Sequence, residues 1–578
     1  MSSTEAVFDY SDFIKEGDHA NSDYLGAIKI LAQKDASRLP ETQQQIDVLY
    51  DLLLDEITSN EKNPCQEISF GTSGWRGILG KDVFVRSVAQ VTRAIVEMYE
   101  ALDEDPTLAP LLGIKNLGEA QSRGCVLGFD NRFAGKLLAN VVAGVLSKAG
   151  IKVYYAGEST TGALSAAVLI HKSAFSINLT PSHNPLDYGG YKFNAADGGP
   201  AAGSVTEKIT ANARRIVLAE AGKESLCVGD SVPVLERKGV VAIDALSNWQ
   251  TLVKRNADVH GLDIDKILQS FSSCADLTVV VDCVHGASRL HLKTLLGDCA
   301  PPRLQLLRDN TDVTFGGVAP EPSTVNLAGV VQILEASDST LKLGAIIDPD
   351  GDRIRFTDGV TEIGMNQFGA MAYHYLHEYK QKKGLVAKTV ATSNLANSIA
   401  AQLGEETYEP RVGFKNFKPV IGQALVLFEE SDGMSILGHT PEKDAYIGLI
   451  LAIDMVLTTG LNLGDYLQKI EDEFGAYFPA RDGVQVAARG EELNSLLARL
   501  EKYTAGTSIM VGSEEKKIID VITIDGRKMI LEDGSWLMIR PSGTEPKVRF
   551  YVESRTKKGT AQLVDAAQSM LKEIGVLK

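Results

Sequence analysis

The chain has no CxxC pair; its six cysteines stand apart at 65, 125, 227, 274, 283 and 299. That spacing indicates neither a zinc site nor a disulfide framework. Positive charge is also scarce: 58 Lys and Arg face 75 Asp and Glu, a net charge of -17. A field of that sign repels nucleic acid and anionic membranes, so neither is an expected partner, and an anionic ligand would need cations gathered locally. Long apolar runs are missing as well. The longest, Ala445 to Ile453, stops at Asp454; it is far short of the roughly 20 residues of a membrane span and reads as a buried helix. The segment MSSTEAVFDYSDF is acidic and lacks a cationic region followed by an apolar one. No secretory leader is read there, and the cytoplasm is the expected compartment. There is no long low-complexity tract, which removes the disordered and fibrous classes.

What is present is 578 residues, 44% of them hydrophobic. At about 100 to 200 residues per domain this predicts three to five soluble domains. The polar N-terminal stretch carries Ile46, Leu49, Leu53 and Ile57 at helical spacing, a stripe that needs a partner and predicts a helical extension packed on the body. From residue 67 helices and strands alternate: a helix over 87–102, a strand at 125–129, a helix near 136–149, a strand at 151–155 and another over 173–180, where Phe175, Ile177 and Leu179 alternate. Strands at 277–282 and 343–348 and a helix at 444–457 continue that order. The last part differs. Turns at Asp525-Gly526 and Asp533-Gly534 between short apolar runs predict an antiparallel sheet closed by a helix at 560–574. The expected class is α/β, with three α/β domains and a C-terminal α+β domain divided as 1–205, 206–360, 361–470 and 471–578.

Five loops carry chemistry. Asp348-Pro-Asp-Gly-Asp-Arg353 follows the apolar strand LGAII. Three carboxylates at alternate positions of one tight loop repel one another unless a cation lies between them, and oxygen-only ligands suit Mg²⁺. A solvated acidic turn is the plainer reading, but Arg353, a fork donor beside a metal, suits a phosphoryl group. Thr180-Pro-Ser-His-Asn-Pro185 also ends a strand; its prolines stiffen a loop that presents Ser182, while His183 and Lys192 can manage protons. Nothing there has the GxSxG form of a hydrolase. Arg540-Pro-Ser-Gly-Thr-Glu-Pro546, with Lys547 and Arg549 behind it, supplies hydroxyls, a glycine-permitted nest and guanidinium groups for a phosphate dianion. Phe428-Glu-Glu-Ser-Asp-Gly433, followed by Gly438-His439 and Glu442-Lys443-Asp444, can read sugar hydroxyls, and an acidic surface loop accounts for it equally well. Gly71-Thr-Ser-Gly-Trp-Arg-Gly77 lacks the P-loop lysine and supports no nucleotide site.

Each loop alone is weak; in this order the five resemble the α-D-phosphohexomutase superfamily, over residues 67 to 555. The serine segment, TPSHNP followed by GGYKFNAADGGPA, is closest to the bacterial phosphoglucomutase branch. The resemblance implies four domains around a central cleft, one loop from each. It implies that Ser182 is the phosphoserine and that Asp348, Asp350 and Asp352 bind one Mg²⁺ with a phosphoserine oxygen. Arg76, His183, Lys192, Arg353 and Lys443 would surround the transferring group. Glu429, Ser431 and His439 would bind the sugar; Arg540, Ser542, Gly543, Thr544 and Arg549 would bind the phosphate that is not transferred. The implied reaction interconverts glucose 1-phosphate and glucose 6-phosphate, with glucose 1,6-bisphosphate as intermediate and activator; mannose phosphates are the alternative. Monomer and dimer both stay open. Asp432, where many members have Gly or Phe, and Ala445, in place of the Gly of KDG, both depart from the pattern near the sugar loop.

Overall fold

The computed structural model describes residues 8–35, 39–71, 74–222, 232–297, 303–542 and 547–577. Four sheets follow one another along them, of seven, five, four and six strands. In the first, Cys125–Phe129 lies between the parallel strands Val153–Glu158 and Phe175–Leu179, with Val240–Ala242 beyond Val153–Glu158. Tyr188–Asn194 then runs antiparallel to Phe175–Leu179 and carries Gly74–Ile78 on its far side. Every residue of Cys125–Phe129 and of Phe175–Leu179 is buried, as expected of parallel strands covered by helices on both faces.

The second sheet has Leu277–Asp282 between Leu304–Leu307 and Leu341–Ile347, all parallel, with Ile354–Thr357 returning antiparallel. The third pairs Val386–Lys388 with Val426–Glu429 in parallel, and Val426–Glu429 with Gly433–Ile436 antiparallel. The fourth is antiparallel throughout and is covered by the helix Lys557–Glu573. Two of its strands, Phe478–Gln485 and Ser508–Val511, add to those read from the sequence.

The apolar run found in the sequence becomes the helix Ala445–Thr459, N-capped by Asp444 and buried from Ala445 to Val456. Its Leu and Ile side chains each contribute about 1.5–3 kcal/mol by leaving water. Among the described residues no single helix is long and apolar enough to cross a membrane. The N-terminal stripe is also present: Ile46, Leu49, Leu53 and Ile57 are buried on the helix Pro40–Ser59 and share a core with the first unit.

The expected divisions at 205, 360 and 470 lie within packed or paired elements of these units. Residue 205 lies inside the helix Gly203–Ala219, which packs along Val85–Glu100 of the first unit. Residue 360 lies in the turn joining the paired strands Ile354–Thr357 and Glu362–Ile363, and residue 470 inside the helix Leu463–Phe474. Composition does not change where an edge strand or a covering helix is added late to a unit, so the sequence carries no mark there.

Candidate active site

The serine loop follows the strand Phe175–Leu179 at the carboxyl end of the first sheet, where open α/β sheets gather ligands. Ser182 is 1% exposed and has φ +60, a left-handed conformation that a non-glycine residue keeps only when its surroundings enforce it. Here they do. Ser182 N donates to Thr180 Oγ1 at 2.9 Å, and Thr180 Oγ1 donates to Asp130 Oδ2 at 2.7 Å. The Arg132 guanidinium donates to Ser182 O and Pro185 O, both at 2.7 Å, and to Asn184 O. Burial raises the Asp130 carboxyl to about 6 against the opposing charge of Arg132. Asp130 and Arg132 were not read from the sequence as site residues; the signal available was an acid and a base two residues apart at the end of an apolar strand.

So held, Ser182 Oγ donates to Asp348 Oδ2 at 2.9 Å, with His183 Nδ1 at 3.4 Å. Asp348, Asp350 and Asp352 place one oxygen each within 4.8 Å of one another. Their loop turns on Gly351, φ +65, where a Cβ would lie 2.5 Å from Thr160 Cγ2. It is pinned on both sides: Thr161 N donates to Asp350 O at 2.7 Å, and Ala445 N donates to Gly351 O at 3.0 Å. Lys192 Nζ lies 2.5 Å from Asp350 and 2.7 Å from Asp352, and Lys443 Nζ 3.2 Å from Asp352. Burial and the two neighbouring carboxylates push Asp348 far up, while Asp352, against its own burial, is pulled far down by Lys192, Lys443 and Arg353. The same contacts overcome the desolvation of Lys192 and hold it charged. Asp350 Oδ1 and Asp352 Oδ1 are buried with no hydrogen-bond partner. Two orphaned oxygens in a three-carboxylate cradle fit a hard divalent cation.

His183 is pushed well below its ordinary value by burial and by Arg353 and Arg76, so its ring is neutral. In the third unit Glu429, buried, accepts from Gly413 N at 2.8 Å, and burial raises it to about 7. Ser431 sits on the turn that follows. Arg540 is the last but one residue of the strand Trp536–Pro541 and lies opposite Arg549 on Lys547–Ser554. Its Nε is 3.4 Å from Asp525 Oδ2. Ser542 of the fourth unit faces Arg76 and Asn184 of the first across a cavity of about 580 Å³. Gly543 and Thr544 lie outside the described residues.

Two residues expected near the sugar have other partners in the fold. His439, expected at the sugar, has its side chain fully buried, with Nε2 2.6 Å from Asp444 Oδ2 and its ring edge-on to Trp249. It supports the N-cap of Ala445–Thr459. Asp432, a candidate for reading the sugar, has φ +70 and turns its carboxylate to Arg355, 2.7 Å away. Sequence adjacency to Ser431 says nothing of that turn.

Models of the phosphoglucomutase/phosphomannomutase domains match in order: alpha/beta/alpha domain I over 67–220, domain II over 262–361, domain III over 365–474 and the C-terminal domain over 487–568. The protein is therefore an enzyme of phosphate transfer, a phosphohexomutase. The chain belongs to the phosphoglucomutase/phosphomannomutase family. It is 26% identical to a phosphoglucomutase of Staphylococcus haemolyticus, over 84% of this chain and 90% of that one. It is 25% identical to a phosphoglucomutase/phosphomannomutase of Thermococcus kodakarensis (87% and 98%) and 23% to a phosphoglucosamine/phosphogalactosamine mutase of Sulfurisphaera tokodaii (87% and 98%). The fold matches the Paramecium phosphoglucomutase parafusin in its open form, with TM-score 0.67, 19% identity and coverage of 89% and 96%. It also matches Aspergillus fumigatus N-acetylphosphoglucosamine mutase in complex with GlcNAc-6P and magnesium, with TM-score 0.55, 12% identity and coverage of 91% and 99%. The relatives' names divide among sugars, so they fix the reaction class and not the hexose.

Proposed function

We propose that the chain is a phosphoglucomutase, interconverting glucose 1-phosphate and glucose 6-phosphate through a phosphoserine at Ser182 and a glucose 1,6-bisphosphate that turns over in the cleft. The observation that carries this reading is the buried contact of Ser182 Oγ with Asp348, beside a carboxylate cradle and opposite a separate cationic loop. A phosphatase would need water at the serine and no second anion clamp. The form of the serine segment, TPSHNP then GGYKFNAADGGPA, supports glucose over mannose.

Asp348, Asp350 and Asp352 would hold Mg²⁺, which supplies charge that neutralises the equatorial oxygens of the transferring group. His183, kept neutral, accepts the proton of the attacking sugar hydroxyl. Arg76, Arg353, Lys192 and Lys443 neutralise the phosphoryl oxygens, and Lys192, held charged by two carboxylates, is no base. Glu429 and Ser431 read the 3- and 4-hydroxyls, which lie midway between the phosphorylated carbons and present alike in both orientations. Arg540, Ser542 and Arg549, with Gly543 and Thr544, hold the phosphate that stays.

With Asp432 held by Arg355 and His439 by Asp444, neither is free to read the 2-hydroxyl that separates glucose from mannose. Rejection of the epimer then rests on shape around Glu429. Coupled assays of glucose 1-phosphate and mannose 1-phosphate side by side test the sugar; the expected kcat/KM is higher for glucose. Equal or higher kcat/KM for mannose would overturn the sugar assignment, and release of free phosphate in place of isomerisation would overturn the mutase.

A further inference from the structure

The family models match this chain only from residue 67, yet the helices Tyr24–Lys34 and Pro40–Ser59 precede that point. Tyr50 packs on Phe133, the neighbour of Arg132, with ring centroids 4.3 Å apart. Tyr24–Lys34 rests on the turn Phe315–Gly317, which belongs to the second unit. There Gln33 Nε2 donates to Gly317 O at 2.7 Å. Gly317 has φ +76, and a Cβ at that position would lie 2.7 Å from Gln33 Cγ and 3.0 Å from Gln33 N, so the helix sits directly on the backbone of the turn.

Phe315 is buried in the core shared by the extension and the first unit, although its chain neighbours build the second. The Arg132 guanidinium lies over its ring, 4.9 Å from the centroid. Asp312 shapes this turn by accepting from Thr314 N at 2.9 Å and Gly316 N at 3.1 Å, and its carbonyl accepts from Asn131 Nδ2 at 3.4 Å. Extension, serine unit and metal unit thus meet at Phe315, under the arginine that holds the carbonyls of Ser182, Asn184 and Pro185.

We infer that the N-terminal extension is a brace for phosphoryl transfer: by pinning Phe315 beneath Arg132 it fixes the strained serine loop and sets Ser182 Oγ against the metal loop. Gln33, Phe315 and Arg132 are positioning residues that act through the backbone of residues 182–185. Thr161 and the Glu158–Arg289 pair also join the first two units, so loss of the brace loosens the loop without parting the units. The kinetic arm of this inference rests on the mutase reading above; the exchange arm does not.

The test uses the full chain with Gln33→Ala, Gly317→Val, Phe315→Ala and Phe315→Tyr. Amide hydrogen exchange across residues 182–188 is read by mass spectrometry, beside steady-state kinetics with glucose 1-phosphate. Phe315→Ala and Gly317→Val should each speed exchange there about tenfold and lower kcat about tenfold, with KM held within about twofold because the sugar and phosphate contacts lie on other loops. Phe315→Tyr keeps the ring and should restore both. Gln33 is exposed, and its alanine variant, which loses one hydrogen bond, should fold and show the same change at about two- to threefold. Unchanged exchange across 182–188 in both Gln33→Ala and Phe315→Ala overturns the brace, whatever the activity. If the two larger substitutions fail to fold, Gln33→Ala against the unmodified chain decides it alone. Absence of mutase turnover in the unmodified chain counts against the mutase reading and leaves the exchange result to judge the brace.

Discussion

The half of the candidate site around Ser182 and the three aspartates and the half around Arg540, the proposed phosphate clamp, are built in different ways. Ser182, the three aspartates, Lys192 and Lys443 are all 5% exposed or less, and the metal loop is held by backbone bonds from Thr161 and Ala445 on either side. The clamp stands on a unit with its own core. That unit meets the third through a small apolar patch, Val390 and Ala391 against Trp536, Met538 and Tyr551. Polar contacts surround the patch: Lys528 to Val390 O, Asn394 N to Glu553, Val412 N to Asp525. An interface of that kind leaves relative motion as the default. The difference matches what the proposed reaction asks: transfer needs fixed in-line geometry, whereas an intermediate that turns over needs a partner able to let go of one phosphate and take the other.

The sharpest break of the fixed half is Ser182→Ala. It should abolish mutase turnover, by at least about 10³-fold, and remove from the intact mass a species heavier by about 80 Da, the phosphoryl group of a phosphoserine. Full turnover by the alanine variant would contradict the assignment. Asp350→Asn comes next. The metal is asked for several kcal/mol, so a loss of about 10² to 10³ in kcat is expected, matched by EDTA and reversed by Mg²⁺ only in the unmodified chain. Activity that survives EDTA would remove the metal from the account.

A smaller effect, of a different kind, is expected from the half that carries Arg540. Arg540→Ala removes a charge-assisted contact worth about 1.5–3 kcal/mol, so KM for glucose 1-phosphate should rise about tenfold or more. Bisphosphate should also appear in solution, because the clamp is needed while the intermediate turns. An unchanged KM with no released bisphosphate would place the clamp elsewhere, and the contrast between the halves would fail with it.

The fixed half of the candidate site is largely legible in the sequence because its parts are local: DPDGD is three carboxylates on one loop after one apolar strand, and TPSHNP is a stiffened turn at another. What holds Ser182 is not. Arg132 reaches residues 182–185 from the loop after another strand, and Phe315 reaches Arg132 from another unit, so no spacing along the chain records either contact. The sugar loop shows the opposite failure. Asp432 and His439 lie near Glu429 and Ser431 in sequence, but a positive φ at Asp432 and the burial of His439 against Trp249 give their side chains other partners.

The smallest effect is expected where the two halves join. Gly413 N bonds Glu429 and the adjacent Val412 N bonds Asp525, the partner of Arg540. Glu429 is raised by burial from 4.5 to about 7, so between those values the folded chain keeps a proton that the unfolded chain has released. Its contribution is therefore full below about pH 4.5, falls as pH rises and is gone above about 7, a change of at most about 3 kcal/mol. Asp130, raised to about 6, slopes the same way over a lower range, so the two are separable only by substitution. Glu429→Gln keeps the oxygen that accepts from Gly413 N and removes the titration. Its Tm should vary less than that of the unmodified chain from pH 5 to 8, with the gap concentrated between 5 and 7, and KM should shift only a few-fold because an amide still reads hydroxyls. Parallel Tm curves for the two proteins across that range would mean that Glu429 is ionised in the fold, and that the sugar is met by a carboxylate from the start.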